Sequence, residues 1–324
     1  MIESSPLHTP ATPMRAVSQR SFGSPDVLEL VELERPSPGP DDVLVRVVGA
    51  SVNPADWKIR AGLLPRFGEP PLTIGLDFSG VVEAVGGAVE RVRPGDEVVG
   101  CVYPPAGSYA QYVVAPASAV APAPRSIPLL DAAALPVARL TAWQPLARVA
   151  DVRAGQRVLV HAAAGGVGHL AVQIAKARGA YVIGTARAEK HAFVRELGAD
   201  EAIDYTAVDF AAELRDVDVV LDPISGDYGP RSLRVLRPDG LLVDVRGAGP
   251  DRSETIAQAE AVGRRFVQFG FSPSGEDLEQ VVELVDRGVL SVLVEQRIPL
   301  SEVAHAHALS ESGRVRGKLV LEVT

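Results

Sequence analysis

The sequence is poor in the residues that build disulfide-stapled or membrane-embedded proteins. Cys101 is its only cysteine in 324 residues, so no intrachain disulfide can form. That excludes a secreted disulfide scaffold and fits a reducing cytosol, so a cytoplasmic location is expected. No run of about 18 apolar residues occurs, so no membrane-spanning helix is expected. Positive charge is also short: 32 Lys and Arg face 41 Asp and Glu, a net charge of −9. Such a chain is a poor general ligand for nucleic acid or an anionic membrane, although a local basic pocket is compatible with it. Residues 1–13, MIESSPLHTPATP, lack a basic start and an apolar core. They read as a flexible tail and not as a signal peptide.

What the chain does have is apolar material, 47% of its residues, and enough length for two domains. The stretch after the tail reads as β-rich. Strands are expected at Val27–Leu33, Val43–Val48, Phe78–Val85, Glu97–Val102 and Tyr109–Ala115, separated by Pro/Gly/Asp turns. Many short strands of this kind suggest a compact barrel or sandwich. APAPRSIP (121–128) reads as a linker. The pattern then changes. Leu129–Ala150 is Ala/Leu-rich and helical, broken near Pro136 and Pro145. Strands at 157–161, 181–185, 202–203, 217–222 and 240–245 alternate with helices at 167–178, 188–197, 208–215 and 229–236. That alternation implies right-handed crossovers and a parallel sheet, hence an α/β, doubly wound, Rossmann-type domain. Arg237–Gly240 reads as the turn before its last clear strand. Phe266–Phe271 is a further strand, 276–287 a helix, and 291–298, 301–311 and 318–323 a strand, a helix and a strand expected to return to the first domain.

The middle region is organised around QRVLVHAAAGGVG (156–168). Ala163, Gly165 and Gly168 have the spacing of the dinucleotide fingerprint, with alanine for its first glycine. Small residues keep the strand-to-helix turn tight, let the backbone approach a pyrophosphate, and let the helix pack on the strand. The helix N-terminus, reached through Gly166 and Val167, then offers free N–H groups to the phosphates. The second strand ends Gly184-Thr185-Ala186-Arg187, without the carboxylate that accepts hydrogen bonds from a ribose 2′-hydroxyl. Arg187 and Lys190 would attract a 2′-phosphate instead, so NADP(H) is the expected cofactor. The bland alternative is that both are solvated surface charges. Tyr205, after the third strand, is a further candidate for that ribose edge.

At this point the chain resembles a zinc-free medium-chain dehydrogenase/reductase of the quinone oxidoreductase branch. The resemblance covers about residues 14–324. It rests on ASVNPADWKIRAG (50–62), GLDFSGVVEAVG (75–86), RPGDEVVG (93–100), ALPVARLTAWQPL (134–146), VLVHAAAGGVGHLAVQIAKARGA (158–180), ELGADEAIDY (196–205) and GKLVLEV (317–323). It implies a β-rich, GroES-like catalytic domain of residues 14–125, completed by about 272–324. An NADP-binding Rossmann domain, 126–271, is inserted between them, with the cleft at the junction. Where the zinc-dependent branch has Gly-His-Glu, this chain has Gly75-Leu76-Asp77. A catalytic zinc needs three protein ligands. His305 and His307 do not share a helical face, and His161 and His169 read as packing or capping residues. No metal is expected.

The resemblance then implies hydride transfer to a quinone or to the β-carbon of an enone or enoyl acceptor. A donor is needed for the developing oxyanion, and a proton source. Asn53, Asp56 and Lys58 are the candidate catalytic residues. Asn53 would donate to the carbonyl or hold the nicotinamide ribose. Lys58 would donate to an oxyanion or pair with Asp56. Some relatives place a tyrosine proton donor where this chain has Leu64, and Asp77 matches a structural carboxylate. Thr141, Arg246-Gly247, Phe269 and Phe271, and Lys318 are expected around the nicotinamide. Pro65, Phe67 and Tyr103 hint at an apolar acceptor pocket. Cys101 reads as a buried, inert thiol. The alternative is an NADP-binding protein without redox turnover: a sensor, a structural protein or a cyclase. A homodimer is expected, because an exposed edge at Phe266–Phe271 would be covered by its two-fold mate.

Overall fold

The computed structural model describes residues 13–247, 249 and 251–323; the expected tail, 1–13, lies outside them except for Pro13. The N-terminal part forms strands β1 (Pro13–Gln19), β2 (Glu29–Glu34) and β3 (Asp42–Val52), helix α1 (Pro54–Arg60), and strands β4 (Leu72–Thr73), β5 (Asp77–Val85), β6 (Glu97–Cys101), β7 (Tyr112–Pro116) and β8 (Val120–Pro122). β2 starts two residues later than expected because Pro25–Val27 make a 3₁₀ turn. The expected linker at 121–128 starts inside β8, which pairs with β6. The backbone N–H groups of Arg125 and Ser126 are then held by Asp286.

The middle part runs through α2 (Leu129–Ala132), α3 (Pro136–Trp143), β9 (Arg157–Val160), α4 (Gly168–Ala177), β10 (Tyr181–Ala186), α5 (His191–Glu196), β11 (Glu201–Asp204) and α6 (Phe210–Glu213). It continues through β12 (Val217–Asp222), α7 (Tyr228–Val235), β13 (Leu236–Asp244), α8 (Ser253–Ala261), β14 (Arg265–Gln268) and α9 (Gly275–Asp286). The expected breaks in the first helical stretch occur where proline removes an N–H: α3 begins at Pro136, and a π-helical turn spans Gln144–Val149 around Pro145. The last elements are β15 (Val294–Pro299), α10 (Val303–Glu311) and β16 (Lys318–Glu322).

Six strands form a sheet in the order β11-β10-β9-β12-β13-β14, every pair parallel. Numbered within the sheet this is 3-2-1-4-5-6, the order of a dinucleotide-binding domain. Its central strands, β10, β9, β12 and the second half of β13, are buried on both faces, so they read as nearly continuous apolar runs. Val158, Val160 and Val182 pack towards α4. Leu159, Ile183 and Leu242 pack towards Phe210, Leu233 and Ala259 on the other side. Two features escape the periodicity. α8 buries only Thr255 and Ala259, too narrow a stripe to announce a helix. Arg237–Gly240 is not a free turn but lies inside β13, where Asp239 adopts φ 60° and the register with β12 jumps.

The remaining strands close around a second core. A seven-stranded sheet runs β15-β16-β3-β5-β6-β8, with β7 also on β3. The C-terminal strand therefore returns to the N-terminal part, β16 lying antiparallel to β3 with Leu319 opposite Val52. That pairing places the start of β16 beside the end of β3, against the nucleotide-binding turn. Gly317 N–H donates to Ala164 O at 3.1 Å. Among the described residues no helix is long and apolar enough to cross a membrane.

Candidate active site

The first strand of the parallel sheet leaves towards α4, and the fourth, β12, leaves towards α7, so a crevice opens between them. The turn from β9 to α4 lines it. Ala162 takes the left-handed conformation, φ 49°, and its carbonyl accepts from Gly165 N–H at 2.9 Å. A Cβ on Gly168 would sit 2.2 Å from Ala162 O, so that glycine is obligatory for the turn. A Cβ on Gly166 would meet the Lys318 stem at 3.2 Å. One expectation is corrected here. Ala163 does not face the crevice: it is fully buried and packs on Gly184 of β10. Ala162 and Ala164 line the crevice in its place.

Three adjoining cavities, of about 730, 290 and 150 Å³, run along the cleft. The first and second share Gly165 and Gly313; the second and third share Asn53, Pro54, Val167 and Pro223. The first is lined by Thr185, Arg187, Lys190 and Tyr205, the four residues expected at the ribose edge. Arg187 Nε donates to Tyr205 Oη at 3.3 Å, and Lys190 Nζ to Arg314 O at 2.9 Å. Thr185 is buried and accepts from Ala162 N–H at 3.3 Å. The loop 312–315, which the sequence reading missed, supplies the opposite wall with Arg314. Its GRVRGK run of alternating cations was the available signal.

The second cavity joins Gly165–Gly168 to Asn53 and Lys318. A buried polar knot lies behind them. The Asp77 carboxylate accepts from Ser51 Oγ at 2.5 Å, Asn53 Nδ2 at 2.8 Å and Val137 N–H at 2.7 Å, with Lys318 Nζ 3.4 Å away. Lys318 Nζ also donates to Asn53 Oδ1 at 2.6 Å. Asp77 is thus structural, as expected, and it fixes the Asn53 amide from below.

The third cavity is lined by Asn53, Lys58, Thr141, Arg246, Gly247, Phe269 and Phe271, which brings together the residues expected around the nicotinamide and acceptor. Leu64 also faces it. Lys58 Nζ donates to Arg246 O at 3.0 Å. Burial first, and then the Arg246 and Arg252 charges, push the Lys58 ammonium down to about 8. Of the ladder of tilted rings Phe67, Tyr103 and Phe271, with centroids 5.4 and 5.9 Å apart, only Phe271 lines the cavity; Pro65, Phe67 and Tyr103, expected in the acceptor pocket, do not.

Asp56 does not belong with these residues, which corrects its assignment as a catalytic candidate. It is fully buried, accepts from Asn53 N–H at 2.7 Å and Tyr109 Oη at 3.1 Å, and lines none of the three cavities. Burial raises its carboxyl to about 7. No ion pair joins it to Lys58 among the described residues, because positions two apart on a helix do not share a face. The histidines sit as expected. His161 lies between Thr185 Oγ1 and Ser232 Oγ, and His169 Nδ1 meets Gly165 O; burial pushes them down to about 3 and 4.

Neither do these residues fit a zinc ion. Cys101 is a buried thiol that burial pushes up, and the oxygens of Asp77 are taken up as described. Among the described residues no group of three or more His, Cys, Asp or Glu side chains is placed to hold a metal. A dinucleotide does fit: the turn has no room for a larger residue at Gly168, and Arg187, Lys190 and Arg314 line the first cavity with Glu189 as its one carboxylate.

Comparison with known proteins agrees with this geometry. Residues 39–125 match the alcohol dehydrogenase GroES-like domain, and 197–321 the family described as zinc-binding dehydrogenase. A chloroplastic quinone-oxidoreductase homolog of Spinacia oleracea is 33% identical, over 95% of this chain and 98% of its own. The quinone oxidoreductase from Coxiella burnetii superposes with a TM-score of 0.89 at 37% identity, over 97% of this chain and all of that one. The Escherichia coli quinone oxidoreductase complexed with NADPH gives 0.85 at 28% identity, over 95% and 100%. The chain belongs to the medium-chain dehydrogenase/reductase family, in its quinone oxidoreductase branch.

Proposed function

We propose that this protein is an NADPH-dependent reductase of quinones or α,β-unsaturated carbonyl compounds that works without zinc. Oxidoreductase chemistry on a nicotinamide cofactor accompanies the family; NADPH and the acceptor class are the added reading. The observation that carries it is the cleft itself: cations at one end, a glycine cradle in the middle, and Lys58 among apolar walls at the other. Gly165–Gly168 and the start of α4 would hold the pyrophosphate. Arg187, Lys190 and Tyr205 would hold the 2′-phosphate. The nicotinamide supplies the hydride. Lys58 would donate to the carbonyl oxygen as negative charge develops there, and a proton from it or from solvent would complete the reduced bond. Asn53 would orient the reacting groups, held by Asp77 and Lys318.

The test is loss of NADPH absorbance with a small enone and a small quinone. Oxidation of NADPH by either is expected, with negligible oxidation of simple alcohols by NADP⁺. Failure across a broad electrophile panel despite tight NADPH binding would overturn the reading, as would chelator-sensitive alcohol oxidation. The cofactor preference has its own check. Arg187→Ala is expected to raise KM for NADPH about 10- to 100-fold and barely change KM for NADH, the effect of losing about one charge-assisted hydrogen bond. Equal effects on both cofactors would contradict a 2′-phosphate role.

A homodimer belongs to the same reading. β14 is an edge of the parallel sheet, and Phe266 and Val267 on it are only half-buried. Pairing two such edges would satisfy both rows of backbone groups. Light scattering at micromolar concentration is expected to report twice the 34.1 kDa chain mass; a monomer there would refute the pairing.

A further inference from the structure

The acceptor end of the cleft has the wrong charge for a neutral substrate. The chain carries a net charge of −9, yet the acceptor cavity is lined by Lys58, Arg66 and Arg246 and by no aspartate or glutamate. The nearest carboxylates do not line the cavity: Asp244 opposes the push on Lys58 and Asp222 feels Arg246, whose guanidinium donates to Ile224 O, but both carry partners of their own. Asp244 accepts from Arg252 Nε at 3.0 Å, Ser225 Oγ at 2.8 Å and Arg246 N–H at 2.9 Å. Asp222 accepts the backbone N–H groups of Ile224 and Ser225. Arg66 stands exposed on the rim. Its guanidinium lies 4.8 Å over the Phe67 ring and enters no ion pair among the described residues. These cations are not needed for the cofactor phosphates, whose cradle and cation cluster lie in the other two cavities. Like charges gathered in a half-desolvated pocket repel one another, and a bound anion relieves that repulsion.

We propose that the preferred acceptor is an α,β-unsaturated carbonyl compound bearing a carboxylate, drawn in by Arg66 at the mouth and held towards Lys58 within. The proposal rests on the reductase reading above and names its substrate class. Arg66 is a specificity-determining residue here and takes no part in proton transfer. The aromatic ladder of Phe67, Tyr103 and Phe271 beside it suits a flat, conjugated body attached to the carboxylate.

The test compares trans-benzoylacrylate with its methyl ester, which share the enone and the ring and differ in charge. Binding to the NADP⁺-loaded protein is measured by calorimetry, and reduction by NADPH consumption. The acid is expected to bind about tenfold tighter and to show about tenfold higher kcat/KM, a preference that shrinks with added salt. Arg66→Ala is expected to cut the acid-to-ester ratio about threefold, as for an exposed ion pair, Arg66→Lys to keep it, and Arg66→Glu to reverse it. Equal binding of acid and ester, or an unchanged ratio in Arg66→Glu, would overturn the proposal and leave the reductase reading intact. Tighter binding of the acid, with no turnover of either compound or of any quinone or enone in the broader panel, would support the anion site and overturn the reductase reading.

Discussion

Lys58→Met is expected to lower kcat by about 10²–10³-fold, the scale of losing a positioned proton or oxyanion donor. KM for NADPH should change little, because Lys58 lines the acceptor cavity alone of the three. The pH profile carries a sharper signature. In the proposed reaction the working form of Lys58 is the cation, and its ammonium is pushed from 10.5 down to about 8 by burial, Arg246 and Arg252, with Asp244 opposing. In the wild type, kcat is therefore expected to hold steady at neutral pH and to fall as pH rises through about 8. The ordinary lysine value would place the fall above pH 10. Lys58→Arg keeps its charge throughout this range, so its alkaline limb should disappear even if the guanidinium fits the site poorly. A flat wild-type profile to pH 9, or a Lys58→Met enzyme retaining a tenth of its turnover, would remove Lys58 from the reaction.

Lys318→Met is expected to destabilise the fold by about 3–5 kcal/mol, the cost of stripping one partner from a buried ion pair. Lys318 is 3% exposed and Asp77 fully buried. Losing the ammonium leaves Asp77 with Ser51, Asn53 and Val137 as donors but no counter-charge, and frees the Asn53 carbonyl. The knot ties β3, β5, α3 and β16 together, so the loss is expected throughout the N-terminal sheet. Urea unfolding followed by circular dichroism measures it without reference to activity. A loss below about 1 kcal/mol would show that water or a neighbouring donor takes over the role of Lys318. Asp77→Asn combined with Lys318→Met removes both charges and should recover part of the loss, since the uncompensated charge is the larger penalty.

The nucleotide half of the molecule was legible because its signals are local. Val158, Val160 and Val182 announce buried strands, Gly165 and Gly168 a tight strand-to-helix turn, and Thr185, Arg187 and Lys190 line the cavity beside it; all act within about thirty residues of one another. The acceptor half was harder. Asp56 and Lys58 are near neighbours in the chain, and charge alone suggested a pair. The helical turn of α1 sends Asp56 into the interior, towards Tyr109, and Lys58 into the cleft. α8 was missed because it buries too little to show a period. Arg314 was missed because the alternating cations of GRVRGK show that charge is there but not what it faces; only the fold brings the loop after α10 to the wall of the first cavity.

Amino-acid order by itself determined the parallel α/β unit, the small-residue turn after its first strand, and the cations Arg187 and Lys190 that follow its second. Each depends on side chains a few positions apart on one element, where period and spacing set which face they share. Tertiary structure alone decided that Lys318 meets Asn53 across 265 positions and Asp77 across 241. It also decided that Lys58, Arg66 and Arg246 converge on one pocket. Such meetings follow from which strands pair and in what register, here β16 against β3. That choice is made by the burial of the whole sheet, and no short stretch of sequence records it.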